Sequence, residues 1–364
     1  MLTYNVLLMF NILTLLFSVL LEKSKKKSFV NLYLLFFFLS LFLVSGFRAS
    51  TIGTDTQNYE SIFLSIGHYG KYYYNFWKFP GYSFYNLFLY KISSWPQILI
   101  IMNSFIITLG FVISFKKWSI SPYFSSMLYI VLYHYFVTMN ATRQYISILL
   151  LFLSLHYYIK RKPVFIIFFI IAITVHQVSI LGISYFILYK INWNRFKYFI
   201  LLIITPIVSF LMSFFSRIFV RIFSDYDSYF NMNGNINLSS TGSGNKLLLS
   251  TFLSIFIIMG LFVVHHNKDK NDKKYRFMLA CVLISFILDI LFSKNIMMIR
   301  VALYFNIIYL YFIPYTIHYF SGFFKESISF RVYMYIFTLL VLLIPYYYQL
   351  SRNMVDVIPY QFFL

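Results

Sequence analysis

"KRKPVFIIFFIIAITVHQVSILGISYFILYK", residues 160–190, decides how the chain is threaded. The apolar run inside it, Pro163 to Tyr189, is too long for one upright membrane helix and too short for two comfortable spans, since a crossing takes roughly 20 residues. Its flanks settle the direction. Lys160, Arg161 and Lys162 precede the run, and Lys190, Arg195 and Lys197 follow it. Basic loops are held on the cytoplasmic side. Both flanks therefore share one face, and the segment enters the membrane and returns, turning near His176 and Gln177.

With that placement the rest of the chain alternates consistently. Apolar runs of spanning length lie near 3–21, 28–46, 97–115, 121–138, 143–159, 198–216, 246–265, 275–293, 299–318 and 331–348, which predicts about ten crossings. Lys23, Lys25, Lys26 and Lys27, then Lys116 and Lys117, then the loop Lys268 to Arg276, then Lys325 and Arg331 fall on the same face as the hairpin flanks. Of the 30 Lys and Arg, 19 are inside and 11 outside, and both termini come out extracytoplasmic. The expected fold is all-α, a single polytopic membrane domain over 1–364 with outer loops at 47–96 and 217–245. Tyr82 to Ile92 is too short to cross. With the aromatic-rich stretch Tyr72 to Phe84 before it, this segment reads as an interfacial helix, because Tyr and Trp rings favour the headgroup level. The first apolar run lacks a basic n-region and a small-residue cleavage site and reads as a retained helix.

Composition agrees. Hydrophobic residues make up 60% of the 364 and charged residues 11%, with a mean hydropathy of +0.76, outside the range of soluble domains. The formal net charge of +20 sits in short clusters between apolar runs, the pattern of cytoplasmic loops, so nucleic acid is not the expected partner. One cysteine, Cys281, excludes an intramolecular disulfide and a multi-cysteine metal site. No Gly-rich phosphate loop, HExxH or CxxC is present, so neither a metal nor another cofactor is expected. No internal repeat supports an inverted-repeat transporter. The abundance of Phe, Tyr, Ile, Lys and Asn fits an AT-rich bacterial gene, and the chain is placed in the bacterial cytoplasmic membrane.

The residues that are costly in a membrane then gather on the outer face. Arg48 and Asp55 follow the second run in "FRASTIGTDTQNYESIF", residues 47–63. Arg143 and Gln144 open the fifth, His176 lies at the hairpin turn, and Arg300 opens a later run. A charge at the middle of a membrane helix costs roughly 2.5–3.5 kcal/mol on insertion scales and less near its ends. Each arginine alone also fits an interfacial anchor, and His176 alone fits a core histidine. Together they are harder to explain so, because outer loops have little need of arginine under the positive-inside rule. Asp55 is placed to cap, through its carboxylate, a helix starting at Gln57 or Asn58. Asp289 is expected to pair with Arg300 or Lys294.

In this order the residues match a known pattern. Arg48-x4-Gly53-Thr54-Asp55-x3-Tyr59 after an early span, Arg143-Gln144 opening a later one, and His176-x2-Ser179 after a Lys-Arg-Lys-Pro junction resemble the EpsG and Wzy-type polysaccharide polymerases. The resemblance is closest over residues 30–190 and looser to Arg300 and Tyr304. It implies a glycosyltransferase of GT-C-like membrane architecture that joins undecaprenyl-diphosphate-linked oligosaccharide repeat units into O-antigen, capsule or exopolysaccharide on the extracytoplasmic face. No nucleotide sugar is needed, and a separate chain-length regulator protein is implied as a partner.

The chemistry assigns roles. The departing diphosphate needs cations, and arginine presents a fork suited to phosphate oxygens. Arg143 and Arg300 are the candidates, with Arg48 as a third. His176 or Asp55 can accept the proton of the attacking hydroxyl, His176 ranking slightly ahead because its intrinsic pKa lies nearer working pH. Gly53, Tyr59, Gln144 and Tyr304 are the expected substrate-side residues, and Tyr59, Tyr72 to Tyr74 and Trp77 can stack on sugar rings. A lipid-linked oligosaccharide flippase would be expected to carry its arginines along a central cavity. An O-antigen ligase would have nearly the same site and differ in acceptor, and an acyltransferase would need an acyl donor site that the sequence does not identify.

Overall fold

The computed structural model describes residues 1–22, 28–222, 241–266, 272–291, 296–324 and 328–363. The described residues are helical, joined by turns, with an isolated bridge between Arg48 and Phe362. They fall into two units, Met1–Ile180 with Asn353–Leu364, and Leu181–Arg352.

The first unit is built on α1 (Leu2–Glu22), α2 (Ser28–Gly46) and α5 (Gln97–Trp118), with α2 packed on both of the others. Phe29–Gly46 and Gln97–Trp118 are long and apolar enough to cross a membrane. Within such helices the few polar groups bond across interfaces, since hydrocarbon offers them no partner. Asn11 Nδ2 reaches Ser40 Oγ at 3.2 Å between α1 and α2.

The expected span at 121–138 is not one helix. Pro122, whose fixed φ suits a first turn, starts α6 (Pro122–Val131). Tyr133 then takes a left-handed φ of 68° and is followed by the four-residue α7 (His134–Val137). The Tyr33 hydroxyl meets Ser126 Oγ at 2.7 Å, and the Tyr135 hydroxyl donates to the Leu41 carbonyl at 2.9 Å, holding both pieces on α2. Next comes α8 (Thr142–Ile159), packed on α5 and on α9 (Phe165–Val175).

The 47–96 segment folds as two short helices, α3 (Thr56–Tyr69) and α4 (Pro80–Ile92), separated by 3-10 turns at Gly70–Tyr72 and Phe76–Lys78. They close on a small core of Phe63, Leu89 and Leu99, while α4 exposes Phe84, Phe88 and Ile92 on its other face. A short helix was expected at Tyr82 to Ile92, and α4 provides it. It crosses α9 at Gly81, where a Cβ would run into Thr174. As expected, the helix breaks at His176, which is extended at φ −149° and ψ 110°, and a 3-10 stretch Gln177–Gly182 follows.

The second unit contains α10 (Ile183–Lys190), α11 (Arg195–Ile222), α12 (Thr241–His266), α13 (Lys273–Leu291), α14 (Ile296–Asn306), α15 (Tyr309–Ser321) and α16 (Ile328–Ser351). α13 is its core, in contact with α10, α11, α12, α14 and α15. Leu248–His266 and Ser329–Ser351 are of spanning length and hydropathy, and α14 and α15 pass together as a pair bent by 41°. Among the described residues, then, four helices, or five spans counting the bent pair, are long and apolar enough to cross. Asp289 accepts from Asn306 Nδ2 at 3.3 Å. Lys294, one of the two partners expected for it, lies outside the described residues, as does most of the expected outer loop at 217–245.

Candidate functional site

The site grows from Arg143, the second residue of α8, a helix start with no side-chain cap. Uncapped N–H groups at a helix start favour negative charge. The Arg143 guanidinium carbon lies 4.3 Å from the centroid of Phe79, 5.6 Å from that of Tyr82 and 5.7 Å from that of Tyr59. Ring faces hold a cation through their quadrupoles, by about 0.5–2 kcal/mol each depending on desolvation. Its Nε is buried with no hydrogen-bond acceptor. The cation is thus held by rings, which fix it without neutralising it. The cage joins three parts of the chain: α3 through Tyr59, the turn before α4 through Phe79, and α4 through Tyr82. Burial raises the Tyr82 phenol, so it stays protonated and presents a neutral ring.

Asp55 stands one helical turn before Tyr59, whose N–H donates to the Asp55 carbonyl at 3.0 Å. It is the residue before α3, as expected, but the helix starts at Thr56 and the carboxylate makes no capping hydrogen bond; the backbone at Asp55 is helical, φ −100° and ψ −3°. The capping half of the expectation is therefore corrected. A Cβ at the site of Gly53 would lie 2.6 Å from Asn140 Oδ1, and Gly53 has φ +93°. Both demand glycine. Gly53→Ala is expected to cost on the order of 2 kcal/mol, read as a lower melting temperature of the purified protein; an unchanged melting temperature would remove this account of the glycine.

Arg48 is 4% exposed. Its guanidinium donates to the carbonyls of Ser45, Ile52 (3.4 Å) and Met139 (3.2 Å), and to Ser104 Oγ (3.3 Å). Burial lowers its pKa to about 10, against the opposing field of nearby tyrosines and Glu60, so it remains charged at neutral pH. Around it the chain's last residues close the loop. Ala49 N–H donates to the Gln361 carbonyl at 2.9 Å, Gly53 N–H to that of Asp356 at 2.8 Å, and Phe363 N–H to that of Phe47 at 3.1 Å. Asn140 Nδ2 donates to the Val355 carbonyl at 3.0 Å. Arg48 is thus a clamp whose donors are taken up by three backbone carbonyls and the Ser104 hydroxyl.

His176 is 7% and Gln144 2% exposed, so both are enclosed in the first unit. The neighbour of His176, Gln177, ties the helix break to the cage, its Nε2 donating to the carbonyl of Lys78 at 3.0 Å, the residue before Phe79. Arg300 and Tyr304 lie on α14 of the second unit, where the Tyr304 carbonyl accepts from the Tyr185 hydroxyl. The sequence reading did not single out Phe79, Tyr82, Asn86 and Asn103. The signal available was two asparagines inside apolar helical stretches, which are costly there unless bonded.

Helices of spanning length define an integral membrane protein, and within it Arg143 is held among three aromatic rings. Residues 31–362 match the EpsG family, nearly the whole chain, so the protein belongs to that family. No curated protein and no solved structure matches the chain.

Proposed function

We propose that this protein is a polysaccharide polymerase that joins undecaprenyl-diphosphate-linked repeat units on the extracytoplasmic face of a bacterial cytoplasmic membrane. Membership of the EpsG family points to a polysaccharide polymerase-type role. The observation that carries the finer reading is Arg143, a guanidinium caged by Tyr59, Phe79 and Tyr82 with a buried Nε that has no acceptor. Rings leave its charge available to an anion, and with Nε enclosed the terminal nitrogens are the donors that can reach one. In this reading a hydroxyl of an incoming lipid-linked unit attacks the anomeric carbon of the growing chain. The new C–O bond forms as the anomeric C–O bond to undecaprenyl diphosphate breaks. The bonding pair leaves with the diphosphate, whose developing charge Arg143 meets, and His176 or Asp55 accepts the proton.

The test is reconstitution. Purified protein in lipid vesicles receives only lipid-linked repeat units, and products are resolved on a gel. A ladder of lengthening oligomers is expected. Repeat units that stay single but change leaflet would establish a flippase instead, and units consumed only when a second acceptor is supplied would establish a ligase.

A further inference from the structure

The cage around Arg143 is held from behind by a polar pair that the reaction itself does not use. Tyr82 is 2% exposed, and its hydroxyl receives a hydrogen bond from Asn103 Nδ2 at 3.3 Å. Asn86 Nδ2 donates to the Tyr82 carbonyl at 2.8 Å. Asn103 lies on α5, a helix of spanning length, where an amide side chain is costly and packing alone would favour leucine. Its Oδ1 is buried with no donor. On its other side Asn103 lines a cavity of about 10 Å³ with Arg48, Ser104, Thr138 and Thr142, the room one water needs. Thr142 in that wall adjoins Arg143 in the chain. Asn103 thus lines the cavity that Arg48 also lines and bonds to a ring that cages Arg143.

We propose that Asn103 is a positioning residue for Arg143, acting through the Tyr82 hydroxyl, and that together they set how tightly the site holds the diphosphate of the lipid-linked substrate. The inference rests on the reading of Arg143 as a diphosphate ligand. A tyrosine ring turns freely about its terminal torsion unless packing or its hydroxyl fixes it. Asn103 holds that hydroxyl, the ring then meets the guanidinium, and it packs edge-to-face with Tyr59, 6.2 Å between centroids at 66°. If the ring is loosened the guanidinium gains freedom, and ordering it again weakens substrate binding.

Tyr82→Phe keeps the ring and removes the hydroxyl, while Asn103→Leu removes the donor. In the vesicle assay each is expected to raise KM for the lipid-linked unit about fivefold, the equivalent of one neutral hydrogen bond, with kcat within about twofold and the melting temperature little changed. Because both remove the same bond, the double variant is expected to show about the same fivefold, not the product of the two. KM unchanged in Tyr82→Phe, a multiplied effect in the double variant, or a fall in kcat with no change in KM would each overturn the proposal. Arg143→Ala is run alongside. If it elongates normally, the diphosphate reading fails; if it stops elongation while Tyr82→Phe is unaffected, only the positioning role fails.

Discussion

Arg143→Ala is expected to slow chain elongation by about 10²–10³-fold, the loss typical of removing one fixed donor from a developing oxyanion, while the protein still folds. The fold should survive because the guanidinium makes contacts with Phe79, Tyr59 and Tyr82 rings and carries no hydrogen-bond acceptor at its buried Nε. Truncation therefore removes cation–ring attraction of about 0.5–2 kcal/mol per ring and strands no hydrogen-bond partner. Arg143→Lys keeps a charge but replaces a planar fork by a single ammonium that stacks poorly on rings, and it is expected to recover only a minor part of the rate. The measurement is the initial rate of ladder formation at saturating lipid-linked substrate, normalised to folded protein by its melting curve. Wild-type elongation by folded Arg143→Ala would end the assignment.

How this site could be read from the sequence depended on distance along the chain. Arg143, Tyr59 and the helix break at His176 were visible because each carries a local signal: a charge opening an apolar run, an aromatic one turn after a glycine and aspartate, a polar pair splitting a long apolar stretch. α4 was visible because it is too short to cross and begins at Pro80. The break at Tyr133 was not, since no glycine or proline marks it and a left-handed tyrosine leaves no trace in composition. Nor could sequence reveal that Phe47 and Ala49 pair with Phe363 and Gln361, because an irregular contact across most of the chain follows no period. The same blindness placed Arg48 with the other arginines as a ligand for diphosphate. Its neighbours in sequence, Gly53 and Asp55, look like a binding loop, and only the fold shows that its guanidinium donates to the carbonyls of Ser45, Ile52 and Met139 and to Ser104 Oγ.

Arg48→Met is consequently expected to act on stability first and on rate only through it. Methionine would leave the buried carbonyls of Ser45, Ile52 and Met139 without the donors they now have. Each unpaired buried acceptor costs roughly 1–3 kcal/mol, so a total on the order of 3 kcal/mol or more is expected, a fall of about 10 °C in melting temperature for a unit of this size. Arg48→Lys should recover little, because one ammonium cannot reach acceptors spread around a guanidinium fork. A residue that bound the diphosphate would behave in the opposite way, keeping the melting temperature and losing rate. The discriminating measurement is elongation by Arg48→Met at a temperature where its melting curve shows it folded. Recovery of most of the wild-type rate there would establish the clamp. A folded variant that remained inactive would return Arg48 to the substrate, and the loop from Ser45 to Asp55 would then have to open for the reaction to occur.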